Sequence, residues 1–142
     1  MAALIDKRMT RETRMKNVAL PLATGQAAFQ GAIACADVTT GTVKRGAAGN
    51  ASLLKLGEFA DTVDNTAGAS TVNVLVSLDV EIVARWYDND PGAGAVVAID
   101  LWQDCYILDD HSVTMTSTGN SVAGRVWAVD AVKGILVENH TL

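Results

Sequence analysis

The sequence predicts an all-β protein: a small β-barrel or β-sandwich body carrying an extended N-terminal arm. Three observations predict it. Val, Ile and Thr supply 36 of the 142 residues, and their branched side chains favour pleated, half-buried surfaces over helices. Val72, Val74, Val76, Leu78, Val80 and Ile82 alternate with Asn73, Ser77, Asp79 and Glu81, with Leu75 the exception. That period of two marks a strand with one wet face. Turn-forming clusters recur about every eight to twelve residues, the rhythm of short strands in a sandwich or small barrel.

Taken in order, residues 1–17 are polar, rich in Met and Arg, and free of aromatics. Lacking a continuous apolar stripe, they read as an arm rather than a core element. The body is assigned to residues 18–142 as one domain, and no internal repeat is visible. Val18–Leu22 is a short extended piece, with Pro21 suited to an edge or a strand start. Phe29–Asp37 is expected to be a strand interrupted by Gly31. Turns follow at Thr39–Thr42 and Gly46–Asn50. Leu53–Phe59 is ambiguous between helix and strand, and Gly57 favours strand. Asp61–Ser70 is a polar loop before the alternating strand. Asn89-Asp90-Pro91-Gly92 is a strong turn. Strands are then expected at Ala95–Ile99 and Cys105–Leu108, the latter joined by Asp109–Ser112 to Val113–Thr116. Thr118–Asn120 turns the chain into a closing hairpin of Val122–Val129 and Ile135–Val137. Trp86, Trp102 and Trp127 are placed in strands. Core anchoring is the expected role for each, and an interface role stays open for one.

Charge is split along the chain. The formal net charge is −5, yet residues 1–16 carry Lys7, Arg8, Arg11, Arg14 and Lys16 against Asp6 and Glu12, and residues 17–142 sum to −8. An acidic body argues against nucleic acid, which needs a cationic face. The five cations of the arm are instead candidates for contact with a partner protein or a neighbouring subunit. Cys35 and Cys105 lie in apolar stretches and read as buried free thiols ahead of a disulfide. The opening Met-Ala-Ala-Leu-Ile is broken at once by Asp6-Lys7-Arg8, unlike a signal peptide. No apolar run approaches the roughly 20 residues that span a bilayer, so a soluble protein without a membrane partner is expected, made in a reducing cytoplasm.

Chemistry finds little support. There is no Gly-x-Ser-x-Gly elbow, and neither cysteine has a histidine near it in sequence. Asp109-Asp110-His111 resembles a ligand cluster or a hydrolase site, but successive Asp residues are also what a hairpin turn uses to bond its own backbone. Asp88-Asn89-Asp90 begins like a calcium loop, then has Ala93 and Ile99 where Gly and Glu are required. Gly92-Ala93-Gly94 lacks the remainder of a dinucleotide fingerprint. No catalytic residue, cofactor or metal is assigned.

Several segments resemble, in order, a family of small tailed-phage virion proteins. They are Val18-Ala-Leu-Pro-Leu-Ala, Gly31-Ala-Ile-Ala-Cys-Ala-Asp, Leu56-Gly-Glu-Phe-Ala-Asp with Val63-Asp-Asn-Thr, Cys105-Tyr-Ile-Leu-Asp-Asp, Ser112-Val-Thr, Ala123-Gly-Arg-Val and Gly134-Ile-Leu-Val. Residues 84–101 carry the least of it. The family is that of capsid decoration, or cement, proteins. The resemblance implies a barrel-like body with an arm, a homo-oligomer (dimer or trimer), the major capsid protein as partner, and a place on the capsid outer surface. Another virion part, such as a head-fibre base or a tail protein, is the alternative.

Overall fold

The computed structural model describes residues 16–80 and 83–139. Twelve strands account for its regular structure among these residues, with one 3₁₀ turn at Ala98–Asp100. The first half holds β1 (Asn17–Leu22), β2 (Gln26–Ala28), β3 (Ile33–Asp37), β4 (Thr42–Arg45), β5 (Leu53–Phe59), β6 (Val63–Asn65) and β7 (Val72–Leu78). The second holds β8 (Ala84–Asn89), β9 (Asp104–Ile107), β10 (Ser112–Thr114), β11 (Val122–Asp130) and β12 (Gly134–Glu138). The expectation of an all-β, barrel-like body holds.

Two sheets each close on themselves, in the orders β1-β4-β3-β5-β7 and β10-β8-β12-β11-β9, while β2 and β6 form a separate pair. Closure removes the open edges on which other chains could pair. Each barrel contains one parallel pair, β1–β4 and β8–β10; the other pairings are antiparallel. Matching β1, β3, β4, β5 and β7 to β8, β9, β10, β11 and β12 reproduces every partner and every direction. The correspondence reaches single bonds: Ala23 N–H donates to Val43 O at 3.0 Å, and Asp90 N–H donates to Val113 O at 3.0 Å. It also reaches the bulges, since β5 slips register beside Gly57 and β11 beside Gly124.

The chain is therefore a structural repeat that its sequence hides, against the expectation of none. Equivalent positions pair Val18 with Arg85, Leu22 with Asn89 and Lys55 with Val122. What persists is what the backbone demands: a glycine at each bulge, with φ of 156° at Gly57 and 153° at Gly124. A Cβ on Gly57 would sit 2.0 Å from Ser77 O, and one on Gly124 would sit 2.1 Å from Glu138 O. The inner pair Phe59 and Val76 corresponds to Val126 and Val137, apolar in both halves.

Each barrel has its own core. Leu22, Val43, Phe59, Val74, Val76 and Leu78 fill the first. Tyr87, Ile107, Val113, Val126, Ile135 and Val137 fill the second, and Ile33, Cys35 and Leu53 from the first sheet join them. Strand β3 is therefore buried on both faces, with Ala34 in one core and Cys35 in the other. Each fully buried aliphatic or aromatic side chain contributes about 1.5–3 kcal/mol. Across the seam, Ile33 N–H donates to Asp110 O at 2.7 Å and Ser121 Oγ donates to Asn50 O at 2.8 Å.

Four expected elements differ. Phe29–Ala32 is a turn, with Ala32 N–H on Phe29 O and Gly31 at φ 87°, and the strand begins only at Ile33. The loop 61–70 contains β6, whose Asn65 is buried and whose Nδ2 reaches Leu22, Ala23 and Ser70 carbonyls. Ala95–Ile99 is not a strand: the Asn89 side chain donates to Val96 O at 2.9 Å and accepts Val96 N–H at 2.8 Å. One amide thus takes the place of a ladder partner. Finally, β7 stops at Leu78, and Asp79, expected on the wet face, is 1% exposed. Glu81 and Ile82 lie outside the described residues.

Candidate functional site

Of the five cations expected to make contacts, Lys7, Arg8, Arg11 and Arg14 lie outside the described residues. Lys16 is exposed, and its carbonyl accepts the Leu78 N–H at 2.7 Å. Lys16 therefore lies alongside the end of β7, next to Asp79 at the seam between the barrels.

Asp109, Asp110 and His111 connect β9 to β10 and offer three ligand atoms within 4.8 Å of one another. Their bonds are those of a turn. His111 N–H donates to Asp109 Oδ1 at 2.9 Å, and His111 Nδ1 lies 2.8 Å from Asp110 Oδ1. Arg45 reaches Asp110 from the first barrel at 3.6 Å. The Asp110 hydrogen bond, with Asp109 and Asp88 nearby, raises the His111 pKa despite slight desolvation. The imidazole is exposed, whereas Cys105 is fully buried in the second core. Burial pushes both the Cys35 and Cys105 thiols up to about 12, against a weaker opposite pull from Lys55. Both are free and buried, as the sequence reading favoured. Thiols held protonated in this way are poor nucleophiles.

A second polar cluster was not anticipated. At the seam, Lys55 Nζ lies 3.4 Å from Asp79 Oδ2, and Arg85 Nη2 lies 3.3 Å from Asp79 Oδ1. Arg85 Nη1 reaches Glu58 Oε2 at 3.1 Å. Burial lowers the Lys55 pKa, with Asp79 opposing, and burial raises that of Glu58, with Arg85 opposing. The ammonium also sits 5.0 Å from the centre of the Tyr87 ring, a cation–π contact across the two barrels. Tyr87 hydroxyl is buried without a hydrogen-bond partner among the described residues, and burial raises its pKa. One signal was present in the sequence: Lys55 shares its strand parity with Leu53, on the face of β5 that meets the second core, before the bulge at Gly57 turns Phe59 into the first. The cluster joins β5, the segment after β7, and β8, so its evident work is to fix one barrel against the other.

The third feature is the outer surface of the second barrel. Trp86 is 41% exposed, Trp127 49% and Trp102 65%. The expected core role is overturned for all three, because inward positions on β8 and β11 belong to Tyr87 and Val126. Trp102 is not in a strand either; it occupies the turn before β9 at φ 65°, the sole positive-φ residue other than glycine among the described residues. The Trp127 indole N–H donates to the Glu138 carboxylate, and Lys133 Nζ lies 5.5 Å from the Trp86 ring centre.

No family model, no curated protein and no solved structure matches this chain.

Proposed function

We propose that this chain is a non-enzymatic structural protein of a tailed-phage virion, which decorates the outside of the capsid and stabilises contacts between capsomers. The observation that supports it most is the division of its surface chemistry. Lys55 and Asp79 are committed to the seam, the Asp-His turn to its own backbone and Arg45, and the three tryptophans face outward. Added to this are a cationic segment of +3 and a body of −8. Such a molecule is equipped to bind through surfaces. Its partners in this reading are the major capsid protein and further copies of itself.

The role suits the physics. A shell pressed outward by packaged DNA yields where capsomers separate, and a bridging protein raises the cost of separation. A symmetric oligomer makes several weak contacts at once, so effective concentration supplies retention that one contact lacks. The cations Lys7, Arg8, Arg11, Arg14 and Lys16 supply part of the grip.

The test is to mix purified protein with undecorated expanded capsids and measure binding together with the temperature at which DNA is released on heating. Binding with a raised release temperature supports the proposal; no binding, or no rise, sinks it. Deleting residues 2–16 lowers retention on capsids while the body still folds, and added salt imitates part of that loss. Imaging that places the protein on the tail would move the assignment to another virion part.

A further inference from the structure

The geometry points to the outer face of β8, β12 and β11, with its three tryptophans, as the surface through which one copy of this chain binds a second copy. The inference deepens the proposed function by naming a face, and it rests on that reading only in expecting copies to meet.

The face is built by register. Trp86 pairs with Leu136, and Leu136 pairs with Ala128, beside Trp127 at the β11 bulge. On the far side of β11, Trp102 N–H donates to Val126 O at 2.7 Å, which ties the Trp102 backbone to β11, and Trp102 shares a surface hollow with Tyr106 and Arg125. With strands about 4.8 Å apart, the stripe crosses roughly 15 Å of surface. All three tryptophans of the chain lie on it.

Its area fits a protein interface. At 150–250 Å² per aromatic side chain, the three exposures leave roughly 230–390 Å² of indole in water. Ile99, 82% exposed, and Val97, 51% exposed, extend it from the 3₁₀ turn packed on β11. Together they form a patch in the range of roughly 300–600 Å² typical of a monomer's largest apolar patch, which is often functional, and large enough to be the apolar centre of a contact of about 800 Å² per partner.

The strained residue points the same way. A left-handed backbone costs a non-glycine residue roughly 1–2 kcal/mol. At Trp102 that cost is met at a position where the ring is two-thirds exposed, so the barrel core gains little from it. Strain kept at a surface aromatic fits a side chain placed for something outside the fold.

Charge selects a second copy as the occupant. A body of −8 repels its own kind over most of its surface. Here both signs border the stripe: Arg125 and Lys133 with Asp104, Asp130 and Glu138. A two-fold arrangement can set each cation of one copy against an acid of the other, the self-complementarity an isologous contact requires.

The experiment is sedimentation velocity on the full chain from low to high micromolar concentration, without capsids, beside the double variant Trp102→Gly and Trp127→Ser. Trp102→Gly also releases the backbone strain, so folding is preserved, and circular dichroism checks it. The expected result is an oligomer for the parent chain, whose tryptophan emission moves to longer wavelength on dilution. The variant is expected to self-associate at least about thirtyfold more weakly, the loss of one hot-spot residue. A parent chain monomeric throughout overturns the inference. So does a folded variant that associates as the parent does, since the interface then lies elsewhere. Capsid binding is measured separately, so failure of this inference and failure of the decoration reading are told apart.

Discussion

Replacing Gly57 by alanine tests both the barrel geometry and the hidden repeat. The new Cβ would lie 2.0 Å from the Ser77 carbonyl oxygen, fixed by strand pairing, and 3.1 Å from the Asp79 nitrogen, held by its bond to Leu56 O. Backbone angles that only glycine adopts freely cost about 1–3 kcal/mol. Forcing extra volume into a packed site adds about 1–3 kcal/mol. Gly57→Ala should therefore destabilise by about 2–6 kcal/mol, and Gly124→Ala, with its Cβ 2.1 Å from Glu138 O, by a similar amount. Gly119→Ala is the control: φ is 72° but nothing lies within 4 Å, so only the conformational cost of about 1–2 kcal/mol applies. Urea unfolding followed by circular dichroism gives the three midpoints and slopes. Should Gly57→Ala or Gly124→Ala prove no more costly than Gly119→Ala, the close approach at the bulges is refuted. Should one be severe and the other mild, the equivalence of the two barrels fails.

Three further outcomes follow from the seam and the turns. Arg85→Met should cost about 3–5 kcal/mol, because it strips Glu58 of its cation and leaves Asp79 with Lys55 alone. Lys55→Met should cost less, since Asp79 keeps Arg85 and a costly buried ammonium is gone; thermal melts that reverse this order would refute the assignment. The Asp37 carboxyl is held well below the usual carboxylate range by Lys44, with further bonds from the Thr39 hydroxyl and N–H. A depressed folded pKa contributes stability that is present above the unfolded value and lost as pH falls through the folded one. The parent chain should thus exceed Asp37→Asn in stability at neutral pH, with the gap closing in acid; a gap that widens in acid would contradict the sign. Thiol titration with an aromatic disulfide at mildly alkaline pH should find Cys35 and Cys105 silent in the native protein and both reactive in denaturant.

Legibility in the sequence followed the balance between local and long-range causes. Local chemistry was readable: the turns at Gly41, Gly49 and Gly119, each with positive φ, and the Asp109 turn that takes the His111 N–H. Gly57 identified β5 as a strand, although the reason for the glycine, a carbonyl of β7, was visible only in three dimensions. Alternation located β7 but mistook the side of Asp79, because a second barrel covers what one sheet would leave wet. The tryptophans were misplaced for the converse reason, as hydrophobicity alone does not say which face of a closed sheet points outward. The repeat escaped because strand pairing constrains backbone and bulge, while Leu22 and Asn89 do the same topological work with unrelated side chains. The cations at Lys7, Arg8, Arg11 and Arg14 remain a proposal from sequence.

Strand β3, clad on one side by its own barrel and on the other by the next, sets an order of events during synthesis. The first seven strands leave the ribosome before β8–β12 exist, so Ile33, Cys35 and Leu53 wait uncovered. The second barrel closes only when β12 pairs with both β8 and β11. A nascent or prematurely terminated chain lacking β12 therefore presents two open strand edges and an apolar flank, a template for pairing with other copies. A stop codon placed before Gly134 should thus yield insoluble protein rather than a weaker version of the whole.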